Sequence, residues 1–153
     1  SPFTLSPVWI FRFCALPSFI SVANALIAKT GLSYSEFAVL YTLAKDGCST
    51  QKKIGEEWLI PKQTVFNICK DFRQKGLVQI GEQSTDKRER AMSLTQKGHD
   101  VADPIVHASD ELGERVFARL GEKNAQKLVS LLARFCEICD KEIENTPDIQ
   151  TEI

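Results

Sequence analysis

Between Pro61 and Lys75 the apolar residues Val65, Ile68, Cys69 and Phe72 recur at the three- and four-residue spacing that puts them on one side of an α-helix. At about 100° per residue, Gln63, Asn67, Lys70 and Gln74 gather on the opposite side, flanked by Phe66 and Arg73. One face of this segment belongs in a core, the other in water or against a polar partner. The flanks decide what it is joined to. Upstream, Ser49 or Thr50 caps a short helix whose Ile54, Trp58 and Leu59 suit packing against the longer one, and Ile60-Pro61 turns the chain between them. Downstream, Gly76 ends the helix, and Leu77–Ile80 and Ala91–Leu94 read as two short strands around a polar, charged loop. Helix, tight turn, helix and hairpin in this order predict a winged helix-turn-helix, mainly α with a small β wing.

The outward face of the 61–75 helix carries residue types that read nucleic acid. Gln63 and Asn67 can pair with adenine edges in a major groove, Thr64 or Phe66 can touch a thymine methyl, and Lys62, Lys70 and Arg73 suit phosphates. At the wing tip, Asp86-Lys87-Arg88-Glu89-Arg90 places Arg88 where an A·T-rich minor groove concentrates negative potential. Asp86 can orient that guanidinium, while Lys87 and Arg90 neutralise flanking phosphates. Taken singly, the helix is any amphipathic surface helix and the tip a solvated, self-neutralising hairpin. Their adjacency is what favours DNA. Charge agrees once it is divided by region: the chain carries −1 overall, yet residues 49 to 97 hold ten Lys or Arg against six Asp or Glu. The remaining residues therefore carry −5, a basic surface on an acidic body.

These segments resemble the MarR-type winged-helix transcriptional regulators. The resemblance rests on Gly31-Leu32-Ser33-Tyr34-Ser35-Glu36-Phe37 leading into Val39-Leu40, and on Thr50-Gln51-Lys52-Lys53-Ile54. It rests further on Pro61-Lys62-Gln63-Thr64-Val65 and on Asp86-Lys87-Arg88 followed by Leu94-Thr95-Gln96-Lys97-Gly98. It implies a homodimer on a pseudo-palindromic double-stranded DNA operator, with recognition helices in successive major grooves and wings in the flanking minor grooves. The wing pair then falls on Asp86 and Arg88, and the recognition-helix contacts on Lys62, Gln63, Thr64 and Asn67, with Thr50 and Gln51 at the start of the preceding helix. A small aromatic or anionic effector, relieving repression, is the family habit.

A chain of 153 residues with 43% hydrophobic content predicts one domain. Residues 32–95 form its DNA-binding head, and residues 1–31 and 96–148 are expected to be helical dimerisation segments. Within the head, Ser33 and Glu36 make a capping box for a helix bearing Phe37, Val39, Leu40 and Leu43, which Gly47 stops. The N-terminal run Val8–Phe11 and Phe13–Leu16, and the stripe Leu128, Leu131, Leu132, Phe135, Ile138 and Cys139, are apolar beyond what the head can cover. The N-terminal run is broken by Arg12 and Pro17 and is too short to span a membrane, which places the chain in the cytoplasm. A long helix from about Gln96 to Leu120 must accommodate Pro104.

Other chemistries find less material. Five cysteines, an odd number, suggest reduced thiols. The resemblance implies an alternative reading, since some members of that family sense peroxides through a cysteine in the first helix: Cys14 is the nearest candidate for such a thiol-based redox sensor, although its apolar neighbours oppose a thiolate. Cys136 and Cys139 are spaced C-x-x-C with no histidine near, and His99 and His107 lie two turns apart, so neither a metal site nor a cofactor is expected. Trp9, Phe11, Arg12, Phe13 and Tyr34 can line an effector cleft, and are equally ordinary packing residues. An enzyme is not expected, since no glycine-rich phosphate loop or nucleophile elbow is present. A winged helix that docks protein is the remaining alternative, but its contact face should be apolar at the centre, and here only Phe66 is. If Arg88 enters the minor groove, Arg88→Ala weakens operator binding by about 1 to 3 kcal/mol, chiefly at sites with A·T-rich flanks. Fluorescence anisotropy on duplexes with A·T and G·C flanks measures this, and equal affinity of the two proteins removes that role.

Overall fold

The middle of the helix that starts at the Ser33 capping box is covered on every side. The computed structural model describes residues 17–81 and 90–150. Its elements are α1 (Pro17–Ala28), α2 (Tyr34–Asp46), α3 (Gln51–Trp58), α4 (Lys62–Gln74), β1 (Val78–Ile80), β2 (Met92–Leu94), α5 (Gln96–Leu120) and α6 (Glu122–Glu144). Ser33 Oγ accepts from the Glu36 amide at 3.2 Å while the Glu36 carboxylate accepts from the Ser33 amide at 2.8 Å, and Gly47, at φ 78°, stops the helix. Between them, Phe37 to Leu43 are all buried. An ordinary amphipathic helix would leave part of that run in water. Here Ala23 and Ile27 of α1, Ile54 and Trp58 of α3, Val65, Cys69 and Phe72 of α4, Met92 and Leu94 of β2 and Ala102 of α5 join it in one cluster.

The polar groups of Thr42, Trp58 and Tyr34 are paired, as burial demands, whereas the buried Ser49 hydroxyl finds no partner among the described residues. The Trp58 indole donates to Thr42 Oγ1 at 2.8 Å. Its ring meets Tyr34, Phe37 and Tyr41 edge-on at 5.9, 6.1 and 6.0 Å, and Phe37 stacks on Tyr41 at 5.4 Å. The Tyr34 hydroxyl donates to the Trp58 carbonyl at 3.1 Å. On the other flank of α2, Lys45 pairs with Asp110 of α5 at 2.5 Å, and the Tyr41 hydroxyl approaches the same carboxylate at 3.4 Å.

The turn between α3 and α4 departs from expectation. Leu59, expected in the core, is 90% exposed and stands in the left-handed region at φ 53°. The reason is the closure of the turn: the Leu59 and Ile60 amides both return to the Gly55 carbonyl. A Cβ on Gly55 would lie 3.1 Å from the Ile60 carbonyl oxygen. That reversal throws Leu59 outward and turns Ile60 inward, where it is buried. Of the two candidate caps, Thr50 takes the role for α3, accepting from the Lys53 amide at 3.1 Å. Ser49 instead pairs its backbone with Met92 in both directions, at 3.0 and 2.7 Å, lending a third edge to the wing.

The strands each start one residue later than the sequence suggests and pair antiparallel, Val78 with Leu94 and Ile80 with Met92. Leu77 is held instead by backbone bonds to Phe72 and Thr95, at 2.8 and 3.0 Å. Thr95 then locks α5 to the end of α4: its hydroxyl donates to the Gly76 carbonyl at 2.6 Å and accepts from the Gly98 amide at 3.0 Å. The Lys97 ammonium donates to the Lys75 carbonyl at 2.8 Å. α5 runs unbroken through Pro104, and two compact units part within it, the first ending at Gly113 and the second starting at Glu114. In the second unit, α6 leaves Leu128, Leu131, Phe135 and Ile138 exposed.

Among the described glycines, the closest approach is at the α4–α5 junction. A Cβ on Gly98 would stand 2.1 Å from the Leu77 carbonyl oxygen, so backbone must move to admit one. Gly98→Ala is expected to lower the unfolding free energy by about 3 kcal/mol or more, against about 0.5 kcal/mol or less for Gln96→Ala on the exposed side of the same turn. Urea unfolding checks the pair, and equal losses contradict the close packing.

Candidate nucleic-acid interface

α4 is positioned from its buried side outward. Val65, Cys69 and Phe72 are at most 3% exposed and set against α2, which fixes the helix's rotation. Lys62, Gln63, Asn67, Lys70 and Arg73 are consequently exposed along one side, and Phe66 is 47% exposed beside them. Thr64 is half-buried, less prominent than its spacing predicts. Pro61 offers no side-chain cap, and its carbonyl accepts from the Thr64 and Val65 amides at 2.9 and 3.2 Å. The Gln63 amide donates to Asn67 Oδ1 at 3.0 Å, joining the two amides expected to read bases.

At the far end of α4, Lys75 bonds Asp71 at 2.7 Å. That hydrogen bond, with the charge of Asp71 behind it, raises the Lys75 pKa above its usual value. Lys70 and Arg73 make no ion pair among the described residues. Thr50 and Gln51 are half-buried at the start of α3, and the Thr50 hydroxyl oxygen is already occupied as a cap, leaving its proton to donate. Arg90 is exposed, two residues before β2. Asp86, Lys87 and Arg88 lie outside the described residues, as do Cys14 and the expected effector-lining residues Trp9, Phe11, Arg12 and Phe13. Tyr34, the remaining member of that group, is instead tied to Trp58.

Chemically, this is a surface of amides, hydroxyls and flexible cations around one aromatic ring. It suits a polyanion whose edges offer hydrogen bonds. Sequence reasoning did not find the supports behind it. The Thr42–Trp58 bond and the Tyr34–Phe37–Tyr41–Trp58 cluster were signalled only by aromatic spacing along α2. The Lys97 contact with the end of α4 had a fainter signal, a cation in the first turn of the next helix. His99 and His107 pair with Asp103 and Glu111 at 3.0 and 3.2 Å, and no group of three metal-binding side chains occurs among the described residues. Nor is any helix among them long and apolar enough to cross a membrane.

Comparison with known proteins follows the same lines. A family model described as "MarR family" matches residues 30–89. The fold is similar to that of NMB1585, a MarR family regulator from Neisseria meningitidis, at 40% identity and TM-score 0.76, covering 85% of this chain and 92% of that one. It is also similar to NadR in complex with 4-hydroxyphenylacetate, at 21% identity and TM-score 0.65, over 79% and 91% of the two chains. In sequence, the HTH-type transcriptional regulator MgrA of Staphylococcus aureus is 25% identical over 119 residues, 78% of this chain and 80% of that protein.

The described cysteines divide by surroundings. Cys48 and Cys136 are exposed, Cys139 is half-buried, and all of these and Cys69 are free thiols. Burial pushes the Cys69 thiol up from its ordinary 9.0 to about 12. Below 9 both folded and unfolded chains keep that proton, so nothing is lost. As the pH rises from 9 toward 12, the unfolded chain alone ionises and the folded state loses stability. Alkylation at pH 8 is therefore expected to label Cys48 and Cys136 in the native protein and Cys69 only in denaturant. Peptide mass mapping reads it, and native labelling of Cys69 contradicts its burial.

Proposed function

Since the chain belongs to the MarR family of DNA-binding transcriptional regulators, we propose that it is a homodimeric repressor that grips a pseudo-palindromic operator with α4 of each copy in a major groove. The observation that carries this reading is the exposed polar side of α4, held by the buried Val65, Cys69 and Phe72 on the opposite side. Gln63, Thr64, Phe66 and Asn67 are assigned to specificity, and Lys62, Lys70, Arg73 and Arg90 to phosphates, with Thr50 and Gln51 at the neighbouring backbone. Asp86, Lys87 and Arg88 are assigned to the minor groove on the strength of the sequence.

The homodimer is supported by α6. Leu128, Leu131, Phe135 and Ile138, spaced three and four residues apart, are 38%, 54%, 64% and 49% exposed. Such a stripe is the seam that a second copy covers. Residues 1–31 and 96–148 then serve dimerisation and residues 32–95 DNA binding. The fold's likeness to a 4-hydroxyphenylacetate complex of NadR supports a small aromatic acid as the class of effector that releases the operator.

Selection of bound duplexes from a random pool at near-physiological salt tests the reading. The expected result is an enriched inverted repeat with half-sites about one helical turn apart. No enrichment at any salt contradicts it and favours a protein-docking winged helix. On the selected site, Asn67→Ala is expected to change base preference within the half-site, whereas uniform weakening across sequences would demote Asn67 to a phosphate contact.

A further inference from the structure

An asparagine that reads a base has an ambiguity built into its side chain. Its amide presents an oxygen acceptor and a nitrogen donor of nearly the same shape, and rotating the group by half a turn exchanges them. Asn67 is exposed, and no bond to its Nδ2 occurs among the described residues. Its oxygen is engaged by Gln63, one turn earlier on the same face, whose Nε2 donates to Asn67 Oδ1 at 3.0 Å. We infer that Gln63 is a positioning residue, which sets the Asn67 amide for base reading and reads no base itself.

The inference rests on the DNA-reading role proposed for α4 and apportions it. With one lone pair of Oδ1 taken by Gln63, Asn67 keeps a second lone pair and both Nδ2 hydrogens. An acceptor beside a donor is what the N6 and N7 edge of adenine requires in the major groove. Gln63 keeps one Nε2 hydrogen and its Oε1, but the bond to Asn67 sets the orientation in which it can offer them. Reading a separate base would release Oδ1 and restore the rotational ambiguity. In the free protein the bond is solvent-exposed and contributes little to folding. In a groove stripped of water it strengthens and holds the amide where discrimination is made. Base preference should therefore respond to Gln63 while thermal stability does not, which separates positioning from a structural role.

A double-substitution cycle tests this on the full chain. Affinities of wild type, Gln63→Ala, Asn67→Ala and the double variant are measured for the selected duplex and for a set with each half-site base pair changed in turn. Gln63→Ala is expected to relax preference at the same base pair as Asn67→Ala, by about tenfold, and the double variant to match Asn67→Ala alone. Gln63→Lys, which can still donate to Oδ1, should keep the preference, and Gln63→Glu, which cannot, should lose it. Relaxation at a different base pair, with additive effects in the double variant, overturns the inference and leaves the DNA-reading role intact. A wild-type protein that discriminates at no position overturns that role and the inference with it.

Discussion

The middle of α2 is the constraint on which the first compact unit depends. From Phe37 to Leu43 no residue reaches solvent, so every neighbouring element must present an apolar side to it. Each large side chain sealed in this way contributes about 1.5–3 kcal/mol relative to exposure. Two polar groups lie in that run: the Trp58 indole serves Thr42 at 2.8 Å, and the Tyr41 hydroxyl reaches the Asp110 carboxylate at 3.4 Å. The bond from Trp58 and the surrounding aromatic edges seat α3 on α2. The Gly55 turn then delivers α4 with Val65, Cys69 and Phe72 inward, and the exposed amides and cations follow from that rotation.

A second set of contacts ties α4 to what comes after it. Thr95 reaches both the Gly76 carbonyl and the Gly98 amide, Lys97 reaches the Lys75 carbonyl, and Gly98 leaves no room for a Cβ against Leu77. The start of α5 cannot shift without carrying the end of α4 along. Asp110 extends the connection, since its carboxylate holds Lys45 and faces the Tyr41 hydroxyl at the flank of α2. Local charge supports the same division of labour. The basic surplus lies in residues 49 to 97, which concentrates attraction for a polyanion there, and the proposed reading leaves discrimination to the amides.

Much of this was legible in the residues because it obeys simple periods. The α4 faces, the Ser33 capping box, the Gly47 and Gly76 stops and the helix through Pro104 each have a side-chain signature. Leu59 did not, because a left-handed turn residue is normally announced by glycine or asparagine, and here a leucine occupies it under the pull of two amides returning to Gly55. Ser49 pairing with Met92 was equally silent, since backbone ladders between distant segments leave no mark on side-chain identity. The apolar run in α2 was visible, but complete burial depends on how many elements converge on it. The spacing of Gln63 and Asn67 was on view, whereas the direction of donation between them is a fact of geometry.

The central claim is that this buried framework aims α4 at base edges in a major groove. Dimethyl sulfate protection on a selected operator tests it most directly, because the reagent marks guanine N7 in the major groove and adenine N3 in the minor groove. The account predicts guanine N7 protection in two patches about one helical turn apart. Protection confined to adenine N3, in the minor groove, would contradict it.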